Sequence, residues 1–304
     1  MIDRPSLARY AWLSIAAAVF TMAVKAAAYA LTRSVGLLSD AIESGVNLVA
    51  AVTALAAIRA GARPPDEEHA FGHDKVEYLS SGAEGALIFV ASVFITASAI
   101  QRLIVPQPLG RLDLGLALSL SASLVNYTVA RILIRQGKQH RSIALEADGK
   151  HLMTDVWTSV GVLLGVGAVA LTGWGILDPL IALAVAVQIA WTGWSLVRRS
   201  ALGLIDSALS PDDLDKVHGI LQKLEQSGLH YHALRTRQAG ARCFISLHLQ
   251  VPGEWSVQRG HDLLEIIEQE IRQAIPTATV FTHIEPLEDP RSWVDQDLDR
   301  PYKE

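Results

Sequence analysis

At 304 residues, half of them apolar and with a mean hydropathy of +0.28, the chain has room for one large or two modest domains and is too greasy for an ordinary soluble protein. A formal net charge of −5 gives no support to a nucleic-acid partner, and the single cysteine, Cys243, excludes both a disulfide framework and a cysteine-built zinc knuckle. The apolar content is uneven. Long Ala/Leu/Val/Ile blocks run to about Leu204, and from Asp206 onward the composition is charged and ordinary, which predicts a membrane domain over 1–205 followed by a soluble one over 206–289.

The first apolar run, 11–31, follows Arg4 and Arg9 as a signal peptide would. It is too long for a signal core and long enough to cross a bilayer, so it is read as a retained helix. Five further segments of spanning length follow at 37–59, 79–104, 113–134, 144–171 and 177–197, predicting a six-helix membrane region. Most of the flanking Arg and Lys fall on one side, with Arg33, Arg102 and Arg111 on the other. The positive-inside rule then puts both termini in the cytoplasm. Lys25 is expected to snorkel toward headgroups or to make a structural pair, and Glu84, near the start of the third span, to be interfacial. Gly161 and Gly165 have the GxxxG spacing of close helix packing, here expected of the fifth span against the second.

Ionisable groups inside a lipid-compatible helix are costly unless they bind something. His151 and Asp155 stand four apart, hence on one face of the fifth span, and supply half of a tetrahedral zinc-type site. Glu43 and Asn47, also four apart on the second span, are the candidates for the other half. In the loop after Pro64-Pro65, Asp66, His69 and His73 offer three nitrogen and oxygen ligands at short range, set against the alternative of a solvated acidic loop.

The soluble part begins with Ser210-Pro211-Asp212-Asp213, an N-cap serine with proline in the first turn, and Leu214, Val217, Leu221 and Leu224 then recur at helical period. Strands are expected at 234–238, 244–251 and 279–285, with an amphipathic helix through Leu263, Leu264, Ile267 and Ile271. The order αββαβ predicts a small two-layer α/β domain, and 290–304 is expected to be disordered. His232, His248, His261, His283 and Glu285 fall on separate elements of this domain. They form a candidate metal cluster or, with the same residues, a pH-sensing one.

Four runs resemble the cation diffusion facilitator family, closest to its bacterial zinc and ferrous-iron efflux members. These are Gly36-Leu-Leu-Ser-Asp-Ala-Ile-Glu-Ser44, His69-Ala-Phe-Gly-His-Asp-Lys75, Ala147-Asp-Gly-Lys-His-Leu-Met-Thr-Asp155 and Leu234-Arg-Thr-Arg-Gln238. The resemblance covers nearly the whole chain. It implies a multi-pass protein of the bacterial inner membrane that works as a homodimer and exchanges a divalent cation for protons. It is not an enzyme, and its tail resembles a copper chaperone (ferredoxin-like). Carried over residue by residue, the transport site is Glu43, Asn47, His151 and Asp155, and the loop site is Asp66, His69 and His73. The tail site, often binuclear at the dimer interface, is His232, His248, His261, His283 and Glu285. Lys75 and Asp206 match a charge pair linking loop to tail.

One departure is Glu43 followed by Asn47, where the family usually has His or Asp followed by Asp. A neutral amide oxygen is harder than imidazole and weaker than carboxylate, so zinc stays first while Fe²⁺ and Mn²⁺ gain ground, with Co²⁺ and Cd²⁺ in the same class. Two rivals are weighed against transport. A membrane metal sensor or scaffold would not need Glu43, His151 and Asp155. An intramembrane hydrolase would need a nucleophile or an HExxH motif, and neither is evident.

Overall fold

The computed structural model describes residues 5–32, 35–105, 114–294 and 296–297. The chain divides into two compact units, 3–202 and 203–304, each taken by itself below.

The first unit is helical: α1 (Pro5–Thr32), α2 (Val35–Gly61), α3 (Val76–Ile104), α4 (Leu114–Gln139), α5 (Ile143–Thr172) and α6 (Leu177–Leu204). Among the described residues four of these are long and apolar enough to cross a membrane, over Leu7–Ala27, Val76–Ile104, Ile143–Val169 and Leu177–Leu204. In α2 the apolar run is the shorter Asn47–Gly61, and α4 spends its last turns on Arg131, Arg135 and Lys138. Large apolar side chains such as Phe94, Leu171, Val187 and Trp191 point outward. In water such a surface would drive association, whereas in lipid it costs nothing.

Helix α5 is the best anchored of the six. Its N-cap is Ser142, whose hydroxyl accepts from Leu145 N and donates to Glu77 Oε2 on α3 at 2.6 Å. The same carboxylate accepts from Ala144 N, so a negative charge sits on the positive end of the α5 dipole. One turn on, the buried Glu146 holds Lys150 at 2.9 Å and Arg199 of α6 at 2.7 Å. Gly173, with φ 75°, closes the helix in the left-handed conformation that glycine adopts without a Cβ penalty.

The GxxxG face of α5 meets α6 rather than α2. A Cβ on Gly161 would touch Val185, and one on Gly165 would lie 2.5 Å from Asp178 Oδ1. The bare backbone of Gly165 thus makes room for Asp178, which pairs with Arg102 of α3 at 2.9 Å. Gly45 and Gly167, by contrast, face open space. Glu84 is not interfacial. It lies eight residues into α3, faces neighbouring helices and is 1 % exposed. Lys25 is likewise buried among helices and does not extend to the surface.

The second unit follows the predicted order: α7 (Pro211–Gln226), β1 (His230–Ala239), β2 (Arg242–Val251), α8 (Val257–Ala274) and β3 (Ala278–Pro286). Ser210 caps α7 by accepting from Asp213 N. The sheet order is β1-β2-β3, antiparallel between β1 and β2 and parallel between β2 and β3. Period-two alternation turns Ile245, Leu247, Leu249 and Val251 inward, where they pack with Val217 and Leu221 of α7 and Ile267 and Ile271 of α8. The segment after Pro286 is partly ordered: Pro290–Trp293 forms a 3-10 turn (η1), Ser292 O accepts from Gln250 Nε2, and Trp293 Nε1 donates to Leu287 O. Residues 298–304 lie outside the described residues.

Helices α3 and α6 touch through glycine, since a Cβ on Gly193 would sit 2.7 Å from Phe89 N and 2.8 Å from Gly85 O. Backbone cannot yield as a side-chain tip can, so Gly193→Ala is expected to destabilise the helical unit by about 1–3 kcal/mol. Thermal unfolding of the detergent-solubilised protein measures this, and an unchanged midpoint would contradict the contact.

Candidate metal centres

The i, i+4 spacing on α5 does bring His151 and Asp155 to one face, and the facing residue of α2 is Asn47. All three are buried, at 8 %, 5 % and 1 % exposure. His151 Nε2 lies 2.7 Å from Asn47 Oδ1, and Asn47 Nδ2 donates to Asp155 Oδ2. A fourth residue, absent from the sequence expectations, completes the row: Asn126 of α4, 1 % exposed, donates its Nδ2 to the same Asp155 oxygen at 3.2 Å. Its Oδ1 is buried with no hydrogen-bond partner among the described residues. Glu43 lies on α2, but its side chain is outside those described.

The direction of this row can be deduced. An ionised Asp155 only accepts, so both amides must turn their N–H groups toward it. Asn47 then presents Oδ1 to His151, and that contact is a hydrogen bond only if Nε2 carries a proton. His151 Nδ1 is buried without a partner among the described residues. A proton therefore stands on the nitrogen best placed to bind a cation, and the Asn126 oxygen is a spare donor beside the carboxylate. Asn126 stands among several serines and a threonine of α4 and so gave little sequence signal, and neutral amides are easily passed over when charges are sought.

In the loop, Asp66, His69 and His73 come together with ligand atoms within 4.8 Å of one another. Asp66 Oδ1 is 3.2 Å from His69 Nδ1, and Asp66 Oδ2 is 3.2 Å from His73 Nε2. The backbone N–H of His69 also donates to Asp66, at 2.7 Å, and this bond is the main reason its carboxyl titrates below the usual carboxylate range. Gly72, with φ 88°, turns the chain between the two histidines.

In the tail, His232, His248 and Glu285 converge within the same 4.8 Å. Register explains it, for His232 pairs with His248 and His248 with His283, making one row across the three strands. Glu285, two residues beyond His283, points to the same side. Its Oε2 is 2.8 Å from His232 Nε2, and its Oε1 is 3.2 Å from His248 Nδ1 and 3.4 Å from His283 Nε2. A bulge between His232 and Arg235, with Ala233 at φ 50°, re-aims His232 toward that carboxylate. His283 is exposed at the rim, and His261 is exposed on α8, outside the group of ligand atoms within 4.8 Å of one another. Within the second unit Asp206 pairs with Arg237 at 3.2 Å.

Most of the chain matches known proteins. Residues 11–205 match the family described as the cation efflux transmembrane domain, and 209–287 match the cation efflux protein cytoplasmic domain. The uncharacterized transporter sll1263 of Synechocystis sp. is 54 % identical over 284 residues, covering 93 % of this chain and 92 % of that one. The cation-efflux pump FieF of Serratia proteamaculans is 32 % identical over 277 residues, covering 89 % and 90 %. The solved metal-bound C-terminal domain of the CzcD transporter from Thermotoga maritima is 29 % identical, covering 27 % of this chain and 99 % of its own, with a TM-score of 0.24.

The bond from His69 N–H favours the ionised form of Asp66, which is the form that can hold a cation. His69→Ala takes away one of three clustered ligand groups and is expected to lower the number of divalent cations bound by about one per chain. Competition against a metal-sensitive dye reads this out, and an unchanged number would take the loop out of metal binding.

Proposed function

As this chain belongs to the cation efflux, or cation diffusion facilitator, family, we propose that it exports a divalent metal cation, zinc first, in exchange for protons. The observation that carries the reading is the buried row His151–Asn47–Asp155–Asn126 inside an apolar helical unit. All six helices cross the bacterial inner membrane with both termini in the cytoplasm, and two copies assemble as a homodimer through their tails.

The cation is substrate, and the chain's part is to replace its water shell and then to surrender it. His151 supplies Nε2, Asp155 and Glu43 supply negative charge, and Asn47 supplies a neutral oxygen. Binding requires the Nε2 proton to leave that lone pair, and re-protonation of His151 and Asp155 from the far side competes for the same atoms. Mutual exclusion at one site is sufficient to couple the two flows. Rocking of the helices around the site would alternate its exposure. Asp66, His69 and His73 would take metal in the loop. His232, His248 and Glu285, with His283, would take it in the tail, where occupancy reports cytosolic load and favours one dimer arrangement. His261 enters that set only through the family likeness, as does a Lys75–Asp206 pair between loop and tail.

A second reading concerns the metal. Asn126 Oδ1 is an extra, partnerless oxygen at Asp155, and more oxygen donors suit the larger coordination numbers of Mn²⁺ and Fe²⁺ better than tetrahedral zinc.

In vesicles carrying a pH dye, zinc entry should drive proton exit for the parent, and the His151→Ala, Asp155→Ala protein should lose flux by about 100-fold. Parent-like flux in that variant would leave a non-transporting metal sensor as the better account. Asn126→Leu should lower Mn²⁺ flux by about tenfold relative to Zn²⁺, and Asn47→Asp should shift preference toward zinc. Unaltered ratios in both would remove the amides from selectivity.

A further inference from the structure

Helix α4 has a face that the row at Asp155 does not use. Leu120, Leu124 and Tyr127 stand on it, and Arg131, Arg135 and Lys138 continue the same stripe at steps of four and three. Asn126, turned toward Asp155, lies off this stripe.

The first half of the stripe lines a groove. Leu120, Leu124 and Tyr127 border a cavity of about 340 Å³ whose other wall is Met153, Trp157 and Val160 of α5. Leu124, Tyr127 and Trp157 are 67 %, 44 % and 39 % exposed, so the groove opens outward and not into the helix bundle. Two serines that also line it, Ser123 and Ser159, bond each other at 2.6 Å, so neither hydroxyl needs water there.

The second half is cationic. Arg131, Arg135 and Lys138 are exposed, and none of them makes an ion pair among the described residues. Helix α4 contains no Asp or Glu. Glu146, whose backbone packs against Gly137, is buried and already shared by Lys150 and Arg199.

In a bilayer any apolar slot is filled by hydrocarbon, and cations at one end of the slot add a preference for an anionic headgroup. The lengths agree as well. Leu120 and Arg131 are eleven residues apart, about 16 Å at 1.5 Å per residue, and half of a hydrocarbon core of about 30 Å is about 15 Å. We propose that the α4–α5 groove is a site for one anionic phospholipid, its acyl chain between Leu124 and Trp157 and its phosphate at Arg131 and Arg135. The competing account is three cations snorkelling to bulk headgroups, with no fixed lipid beside them. The proposal rests on the helical unit lying in a bilayer and not on an ion path through His151.

Full-length protein in phosphatidylcholine vesicles, doped with phosphatidylglycerol brominated on its acyl chains, tests it through quenching of Trp157. The difference between parent and Trp157→Phe fluorescence isolates this indole from the other tryptophans. Trp157 should be quenched by brominated phosphatidylglycerol at a mole fraction about tenfold lower than brominated phosphatidylcholine requires, and added salt should narrow the gap. Arg131→Gln, Arg135→Gln and Lys138→Gln together should erase it, each cation near an anionic surface being worth about fivefold. Equal quenching by the two lipids in the parent, or an unchanged gap in the triple variant, would overturn the site. So would a Trp157 that neither lipid quenches, since protein, such as a second copy, would then cover the groove. Should the triple variant fail to insert, Arg131→Gln alone should narrow the gap about fivefold, and no narrowing overturns the proposal equally. Metal flux enters none of these readings, so failure here leaves the transport reading standing.

Discussion

The structure of the helical unit depends on one constraint, that a carboxylate buried among apolar helices must have its oxygens satisfied. Asp155 meets it with amide N–H groups from α2 and α4, and His151 completes the row through Asn47. Each bond is charge-assisted or coupled to one that is, and such networks are worth more in a low-dielectric interior than in water. The arrangement is stable only because three helices agree on it. It is also easily displaced by a cation, since neutral amides bring no charge that would oppose its arrival.

The same accounting explains the cytoplasmic end of α5. Glu77 satisfies Ser142 and Ala144, and Glu146 sits between Lys150 and Arg199. Removing Glu146 would leave Lys150 and the half-exposed Arg199 without their shared partner, and removing Glu77 would open the first turn of α5. Polar groups satisfied from other helices thus fix how α3, α5 and α6 meet, while glycines at 85, 161, 165 and 193 set how close they come.

Much of this was legible in the sequence. Length and hydropathy locate six helices, four of which are long and apolar enough to cross a membrane among the described residues; the Ser210-Pro211 signal places α7, and alternation along 244–251 separates core from surface in β2. Four-residue spacing puts His151 and Asp155 on one face of α5, and close spacing in the loop brings Asp66, His69 and His73 within 4.8 Å of one another. What spacing along one helix cannot give is the partner on another. GxxxG on α5 announces a close contact yet not its address, which is α6. Asn126 draws its importance from Asp155, 29 residues away on another helix. Glu84 reads as interfacial because position near a helix start says nothing about which face is covered. In the tail, the row of histidines emerges only from strand register, which no local pattern specifies.

The bulge at His232 has an effect beyond aiming one imidazole. β1 lies at the border of a three-stranded sheet, where a straight ten-residue strand would offer its free backbone groups as a template for another chain. Two residues against one, with Ala233 held at positive φ, break that template near its middle. Strand-by-strand pairing of another chain along β1 is thereby hindered, and this border of the sheet presents side chains in place of a continuous row of backbone groups.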